Sequence, residues 1–195
     1  MLQKFHAAAA VVLAVTASTP RVAFADDASV LRADVLFQEG RAAVREGNWE
    51  RGCPRFEESL RLDPAPGTRI NLGECEERSG HLVAASQLYE QALHELGPDD
   101  RRVPLARQRA QAVDGRIPRL VVPAEAHVRV DGGRDLQIGE LRLDPGRHGI
   151  VVVAKGVERS IVLTLVEKER RTLDTETSGP EGTPPPQSST RQIAG

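Results

Sequence analysis

Aromatic residues are scarce in this sequence, where one Trp, one Tyr and four Phe make up 3% of 195 residues. A surface that stacks nucleic-acid bases needs several aromatic side chains, and binding a phosphate backbone needs concentrated positive charge. The 26 Lys and Arg residues are outnumbered by 28 Asp and Glu residues, which gives a formal net charge of -2. The composition therefore argues against nucleic-acid binding, and any core must be built mainly from aliphatic residues.

Long apolar runs are also few, and the clearest lies near the start. Residues 7–15 are Ala, Val and Leu, with Lys4 before them, Pro20 after them and small residues at Ala23 and Ala25. This pattern is typical of a secretory signal peptide that is cleaved after Ala25. The alternative is a membrane anchor, but the run is shorter than the roughly 20 residues that a spanning helix needs. We expect an exported chain, periplasmic or secreted, with no membrane span after cleavage.

Signatures of catalysis are missing from the sequence. It contains no Gly-x-Ser-x-Gly motif, no P-loop and no dinucleotide-binding glycine pattern. His127 and His148 both fall in predicted strands and could meet in space, but surface imidazoles are the favoured interpretation over a metal pair. The sequence therefore predicts a protein that is not an enzyme and has no cofactor and no metal site.

One feature that is present is an internal repeat. Four pairs of chemically similar residues are each separated by 33 positions: Gly47 and Gly80, Phe56 and Tyr89, Ser59 and Ala92, Leu60 and Leu93. A period in this range predicts stacked helical hairpins, none of which can bury its apolar face alone. Helical periodicity and turn signals predict five helices between Ser29 and Gly115. Within them, Thr68 is a predicted N-cap of the third helix, and Pro54 predicts an irregular first turn in the second.

The apolar period changes to two after residue 117. Roughly six short strands over about 55 residues predict a small antiparallel β-sandwich, with an open barrel as the alternative. Such a unit is near the lower size limit for an independent core, so we expect it to pack against the fifth helix. From residue 175 the chain is mostly Ser, Thr, Pro, Gly and Gln. That composition predicts a disordered tail, with an extended docking peptide as the alternative.

The chain has two cysteines, Cys53 and Cys75. An oxidising compartment favours a disulfide between them, whereas buried thiols would serve as small apolar groups. The residues alone do not decide between these readings.

The helical segment resembles the tetratricopeptide repeat. The first copy is carried by Gly40, Gly47, Asn48, Trp49, Phe56, Ser59, Leu60, Leu62, Asp63 and Pro64, and the second by Leu72, Gly73, Gly80, Ala85, Tyr89, Ala92 and Leu93. The resemblance implies two hairpins in residues 26–116 with the fifth helix as a cap. It also implies that the first helix of each hairpin lines a groove for a partner segment.

The β segment, residues 117–174, resembles a PEGA-type domain of bacterial envelope proteins. The resemblance is carried by residues 128–132, 143–148 and 153–156. The whole chain is thus predicted to be α+β, with a signal peptide in residues 1–25 and a tail in 175–195. In exported proteins that combine these two modules, cysteines tend to occur where Cys53 and Cys75 stand. The resemblance therefore favours a disulfide that closes a loop of roughly 20 residues.

The groove implied by the resemblance would be mostly basic. Its outward residues include Arg41, Arg45, Arg69, Asn71 and Arg78, which suit an acidic or C-terminal carboxylate peptide. The predicted function is a non-enzymatic protein-interaction adaptor of the bacterial cell envelope. The alternative is a ligand- or glycan-binding module that acts through the β domain, although residues 117–174 contain no Trp, Tyr or Phe.

Overall fold

The computed structural model describes residues 23–136 and 139–175. Most of the predicted signal peptide and nearly all of the predicted tail lie outside these ranges. In the described part, helices come first and strands follow, which confirms the α+β class. The helices are α1 (Ala23–Arg45), α2 (Trp49–Leu62), α3 (Pro66–Arg78), α4 (Leu82–Glu95) and α5 (Val103–Asp114). The strands are β1 (Arg119–Val121), β2 (Ala126–Val130), β3 (Glu140–Arg142), β4 (Gly146–Ala154), β5 (Val157–Leu165) and β6 (Arg170–Thr172).

The turns that follow α1 and α3 have matching backbone geometry. Gly47 and Gly80 adopt φ values of 79° and 82°, in the left-handed region that favours glycine. The next residues, Asn48 and His81, each donate a backbone hydrogen bond of 2.9 Å to the preceding helix. A left-handed glycine ends the helix and reverses the chain, so α1–α2 and α3–α4 each form a helical hairpin.

Each hairpin is closed by an aromatic ring that lies against a glycine. A Cβ atom on Gly40 would lie 2.7 Å from Phe56 Cε1, and one on Gly73 would lie 2.8 Å from Tyr89 Cε1. Both rings are fully buried. Since Phe56 and Tyr89 are also 33 positions apart, the same close approach of two helices occurs in both hairpins.

Two details of the helices differ from the sequence prediction. Helix α2 runs through Pro54 without a break, and this proline lies on the exposed side of the helix. Helix α3 begins at Pro66 rather than after Thr68, which is buried inside it. Proline suits the first helical position because the N–H that it lacks would have no partner there. Pro66 therefore starts the helix three residues earlier than expected.

The six strands form two sheets of three, with orders β3-β1-β6 and β2-β4-β5. Strands β4 and β5 pair along nine residues each and are joined at Lys155 and Gly156. Buried residues from both sheets, among them Leu120, Ile150 and Val152, belong to one hydrophobic cluster.

The prediction of a purely antiparallel arrangement is wrong for one pairing. Strand β6 lies parallel to β1, with Leu120 opposite Arg171. The chain leaves β5 in one sheet, crosses to the other and meets the free edge of β1 in the same direction. Residue alternation shows that a segment is a strand but does not encode the direction of its neighbour, so the sequence pattern could not reveal this pairing.

The β half contacts α4 and α5, as expected from its small size. Asp144 Oδ1 accepts a hydrogen bond of 2.8 Å from the Val83 amide in the first turn of α4. Arg142 Nη2 donates to Ser86 Oγ at 2.7 Å and pairs with Asp114 at 3.0 Å. The junction is therefore held by charge-assisted hydrogen bonds.

A second set of contacts at the junction centres on Arg116. Its guanidinium pairs with Glu77 of α3 at 2.6 Å and with Glu167, after β5, at 2.8 Å. Tyr89 also donates to Glu77, at 3.3 Å. Burial, reinforced by the Glu77 carboxylate, raises the pKa of Tyr89, so this hydroxyl stays neutral and acts as a hydrogen-bond donor.

Candidate functional site

A groove opens between the two helical hairpins. It has a volume of about 390 Å³ and is bordered by α1, the end of α2, the start of α3 and the residue before α5. We call it the helical groove, and its lining residues are Val30, Ala33, Asp34, Phe37, Ser59, Asp63, Ala65, Gly67, Thr68 and Arg102. The lining thus combines apolar side chains from α1 with two carboxylates and one guanidinium.

Gly67 lies close to two other lining residues of the helical groove. A Cβ atom at this position would lie 3.2 Å from Arg102 Nη1 and 3.9 Å from Phe37 Cζ. One wall is fixed by Ser59, whose buried hydroxyl donates a hydrogen bond of 2.8 Å to the Ala33 carbonyl. Phe37, also on α1, has its ring centroid 5.9 Å from that of buried Phe56. The groove is therefore framed by packed residues of three helices.

Apolar side chains are exposed on α1. Val30, in the lining of the helical groove, is 47% exposed. Leu31 and Val35 on the same helix are 69% and 56% exposed and do not line the groove. Of these three residues, Val30 is therefore the one that a molecule in the groove would contact.

The guanidinium that lines the helical groove is already neutralised. Arg102 donates two side-chain hydrogen bonds to Asp100, at 2.9 and 2.7 Å, and its backbone amide donates a third at 2.8 Å. These bonds lower the pKa of Asp100 to about 2. Asp100 therefore remains ionised and holds Arg102 in a fixed ion pair.

The five residues predicted to read a partner lie elsewhere. Arg69 is bound to Glu95 at 2.9 and 3.0 Å and to Gln91 at 3.1 Å. Asn71 donates to the Gly67 carbonyl at 2.8 Å. The guanidinium of Arg78 lies 4.2 Å from the Trp49 ring centroid, and that of Arg41 lies 5.7 Å from the Phe37 ring centroid. Arg45 is exposed. None of the five is among the residues that line the helical groove, so they do not form one site there.

The two cysteines link the hairpins. Cys53 in α2 and Cys75 in α3 have their sulfur atoms 2.04 Å apart and their Cα atoms 5.8 Å apart, which is disulfide distance. Cys75 is buried in a cluster with Phe56 and Leu72, and Cys53 packs against that cluster. The bond crosses from one hairpin to the next and so restrains the angle between them.

A second opening lies in the β half. It has a volume of about 700 Å³ and runs along β5, with β4 and residues 171–175 contributing to its walls. We call it the β cleft. Ile161 and Leu163 line it from the half-buried side, whereas Val157 and Val162 are mostly exposed. Strand β5 is at the edge of its sheet, and an edge strand has backbone groups free to pair with another strand.

The two histidines of the sheets do not meet. His127 on β2 lies opposite Val153 on β4, and His148 precedes Val153 by five residues on the same strand. At about 3.4 Å per residue, His148 and Val153 are roughly 17 Å apart along β4. His148 Nδ1 lies 2.7 Å from Asp131 Oδ2, and its Nε2 lies 2.8 Å from the Asp144 carbonyl oxygen. Because both partners are acceptors, both ring nitrogens must donate, as they do only in the charged imidazolium.

The protonation of His148 is a balance of opposing effects. Burial disfavours the charged ring, but the hydrogen bonds to Asp131 and to the Asp144 carbonyl outweigh burial and raise its pKa. The same contact lowers the pKa of Asp131. In the described ranges, 23–136 and 139–175, no group of three His, Cys, Asp or Glu residues could hold a metal ion.

Several of these features escaped the sequence analysis. Asp34 and Arg102 come next to Asp63 and Gly67 only when the helices pack, and nothing in their spacing signals that. Asp63 and Pro64 are among the residues that carry the tetratricopeptide resemblance, and this is the one signal that could have drawn attention to Asp63.

No helix in the described part of the chain is long and apolar enough to cross a membrane. No family model matches the sequence, and no curated protein matches it at a significant level.

Proposed function

We propose that this protein is a non-enzymatic interaction adaptor of the bacterial cell envelope that binds a partner segment in its helical groove. In this proposal the two hairpins are tetratricopeptide-like repeats, α5 is their cap and the two sheets are a PEGA-like sandwich. Support for the repeats comes from residues 33 positions apart, since Gly47 and Gly80 share a backbone conformation and Gly40 and Gly73 share an aromatic contact.

The observation that carries the proposal is the helical groove itself. The buried Ser59 hydroxyl ties α2 to α1, a Cβ atom at Gly67 would lie 3.2 Å from Arg102 Nη1, and Val30 is exposed in the lining. Apolar surface costs free energy when it is left in water, so a partner that covers it gains roughly 25 cal/mol per Å². A groove with rigid walls adds little ordering cost to binding.

The envelope location rests on two further observations. The apolar run in residues 7–15 followed by small residues is typical of an export signal. The cysteine pair lies at disulfide distance, and such bonds persist in the oxidising compartments outside the cytoplasm. Both are expected of a protein that works in the periplasm or beyond it.

The test compares two valines on one helix. Val30 lines the groove and Val35 does not, although the two have similar exposure. The exported chain is immobilised in three forms, the unsubstituted chain, Val30→Gln and Val35→Gln, and each form is used to capture proteins from a bacterial envelope extract. Val30→Gln should weaken capture by roughly five-fold, since about 1 kcal/mol of apolar burial is lost, and Val35→Gln should capture as the unsubstituted chain does. Equal capture by all three forms contradicts the proposal.

A second candidate function, a ligand- or glycan-binding module, is favoured by the β cleft of about 700 Å³. Sugar-binding sites usually present aromatic rings, and the described lining of the cleft has none. A Val162→Gln substitution separates the two functions because Val162 lines the β cleft and not the helical groove. Loss of capture by Val162→Gln with retention by Val30→Gln would favour this second function.

A further inference from the structure

Two carboxylates line the helical groove without a cationic partner. Asp34 on α1 accepts one long hydrogen bond, 3.4 Å, from Gln38. Asp63 ends α2, where its backbone amide bonds to the Ser59 carbonyl. Within the described residues neither carboxylate takes part in an ion pair. The groove therefore presents negative charge that the chain itself does not neutralise.

The cations around the helical groove are engaged elsewhere. Arg102, the only cation in the lining as described, is held by Asp100. Arg69 of α3 is held by Glu95, with its side chain only 15% exposed. Arg41 stacks on Phe37 but lies outside the lining. An acidic partner would thus meet two carboxylates and no guanidinium free to pair with it.

The size of the helical groove limits what it can hold. A volume of about 390 Å³ lies at the small end of the range for ligand pockets. It suits one or two large apolar side chains rather than a whole helix. The apolar contacts available to such side chains come from Val30, Ala33 and Phe37, while Asp34 and Asp63 stand in the same lining.

We propose that the groove takes a short protein segment in which a large apolar residue is flanked by Lys or Arg. This inference rests on the proposed function and names the chemistry of its partner. The apolar side chain fills the space beside Phe37, and the flanking cation pairs with Asp34 or Asp63. Opposite charges at a rim speed association and select partners more than they add affinity, so the preference should be strongest at low ionic strength.

The experiment uses a displayed library of random dodecapeptides, selected on the exported chain. We expect enrichment of peptides with Lys or Arg next to Leu, Ile, Met or Phe. Affinities of the selected peptides are then measured against Asp34→Asn/Asp63→Asn, which keeps side-chain shape but removes both charges. Each exposed ion pair lost should weaken binding by about two- to five-fold, and the variant should also show a smaller dependence on salt.

The matched control is Glu46→Gln/Glu57→Gln. Both glutamates are exposed and lie outside the groove lining, so this variant has the same net charge change and should bind the peptides as the unsubstituted chain does. Circular dichroism melting verifies that both variants fold.

The outcomes separate the inference from the function on which it rests. Selected peptides with acidic or no charge preference, or equal affinity for both double variants, overturn the charge inference and leave the adaptor proposal in place. Failure of any peptide to be enriched above background counts against both.

Discussion

Reduction of the Cys53–Cys75 bond should lower the free energy of unfolding by about 3 kcal/mol. The two residues are separated by 22 positions, and the chain-entropy relation for a loop of that length gives about 3.4 kcal/mol at 25 °C. The stabilisation arises because the closed loop restricts the unfolded chain. It should therefore appear whether or not a partner occupies the helical groove.

The packing around the two cysteines bears on this estimate, since half-buried Cys53 packs against the cluster that contains Cys75. Cys75 is only 4% exposed and lies among Phe56 and Leu72. A reduced cysteine is itself a small apolar side chain, so reduction removes the cross-link without emptying the cluster. Comparing the oxidised and reduced forms of one sequence thus isolates chain connectivity from packing.

The assay is urea unfolding followed by the fluorescence of Trp49, the single tryptophan of the sequence. This residue is half-buried, with the Arg78 guanidinium 4.2 Å from its ring centroid, so its emission should change when the hairpins separate. With an m-value of about 2 kcal/mol/M, reductant should lower the midpoint by roughly 1.5 M. The control is Cys53→Ser/Cys75→Ser, whose transition should not respond to reductant.

The result that refutes this reasoning is an unchanged midpoint on addition of reductant to the exported chain. Thiol labelling gives an independent answer, because two reactive thiols in the folded, unreduced protein would show that the bond is not formed.

Three further predictions concern single positions. Gly40→Ala should lower the free energy of unfolding by about 1–3 kcal/mol through overpacking, whereas Gly97→Ala, with open space around it, should be nearly neutral in thermal melting. The pKa of His148 is raised in the folded protein. Its ion pair with Asp131 should therefore stabilise the fold fully below the unfolded pKa of about 6.5, and this stabilisation should decline as the pH rises through the folded pKa. A free energy of unfolding that does not change with pH in either the unsubstituted chain or His148→Gln would contradict this. Asp144→Ala should lower the free energy of unfolding in urea by about 1 kcal/mol, because the Val83 amide in the first turn of α4 loses its hydrogen bond to the Asp144 carboxylate. An unchanged urea midpoint would show that this hydrogen bond contributes nothing.

The elements that local chemistry specifies were predicted well. Gly47 and Gly80 mark turns because a left-handed backbone favours glycine, and the alternation of Val128 and Val130 with polar residues marks a strand whichever way it pairs. The cysteine pair was favoured by resemblance to a family, and the structure places it at bonding distance.

Features that depend on long-range packing were not predicted. The direction of β6 relative to β1 is set by where the chain crosses between sheets, which alternation does not encode. The residues of the predicted basic groove were chosen because they face outward on α1 and α3. Periodicity does not reveal their partners, such as Glu95, which binds Arg69 across the second hairpin. The helical groove brings Asp34 of α1 and Arg102 next to Asp63 and Gly67 of the α2–α3 connection, and this happens only when the helices pack.

Amide hydrogen exchange of the exported chain, with and without its captured partner, tests the site of binding most directly. The account predicts that exchange slows in α1 around residues 30–37 and at the start of α3, where the helical groove is lined. Slowed exchange confined to β5 and residues 171–175, with α1 unchanged, would contradict the account and assign the binding to the β cleft.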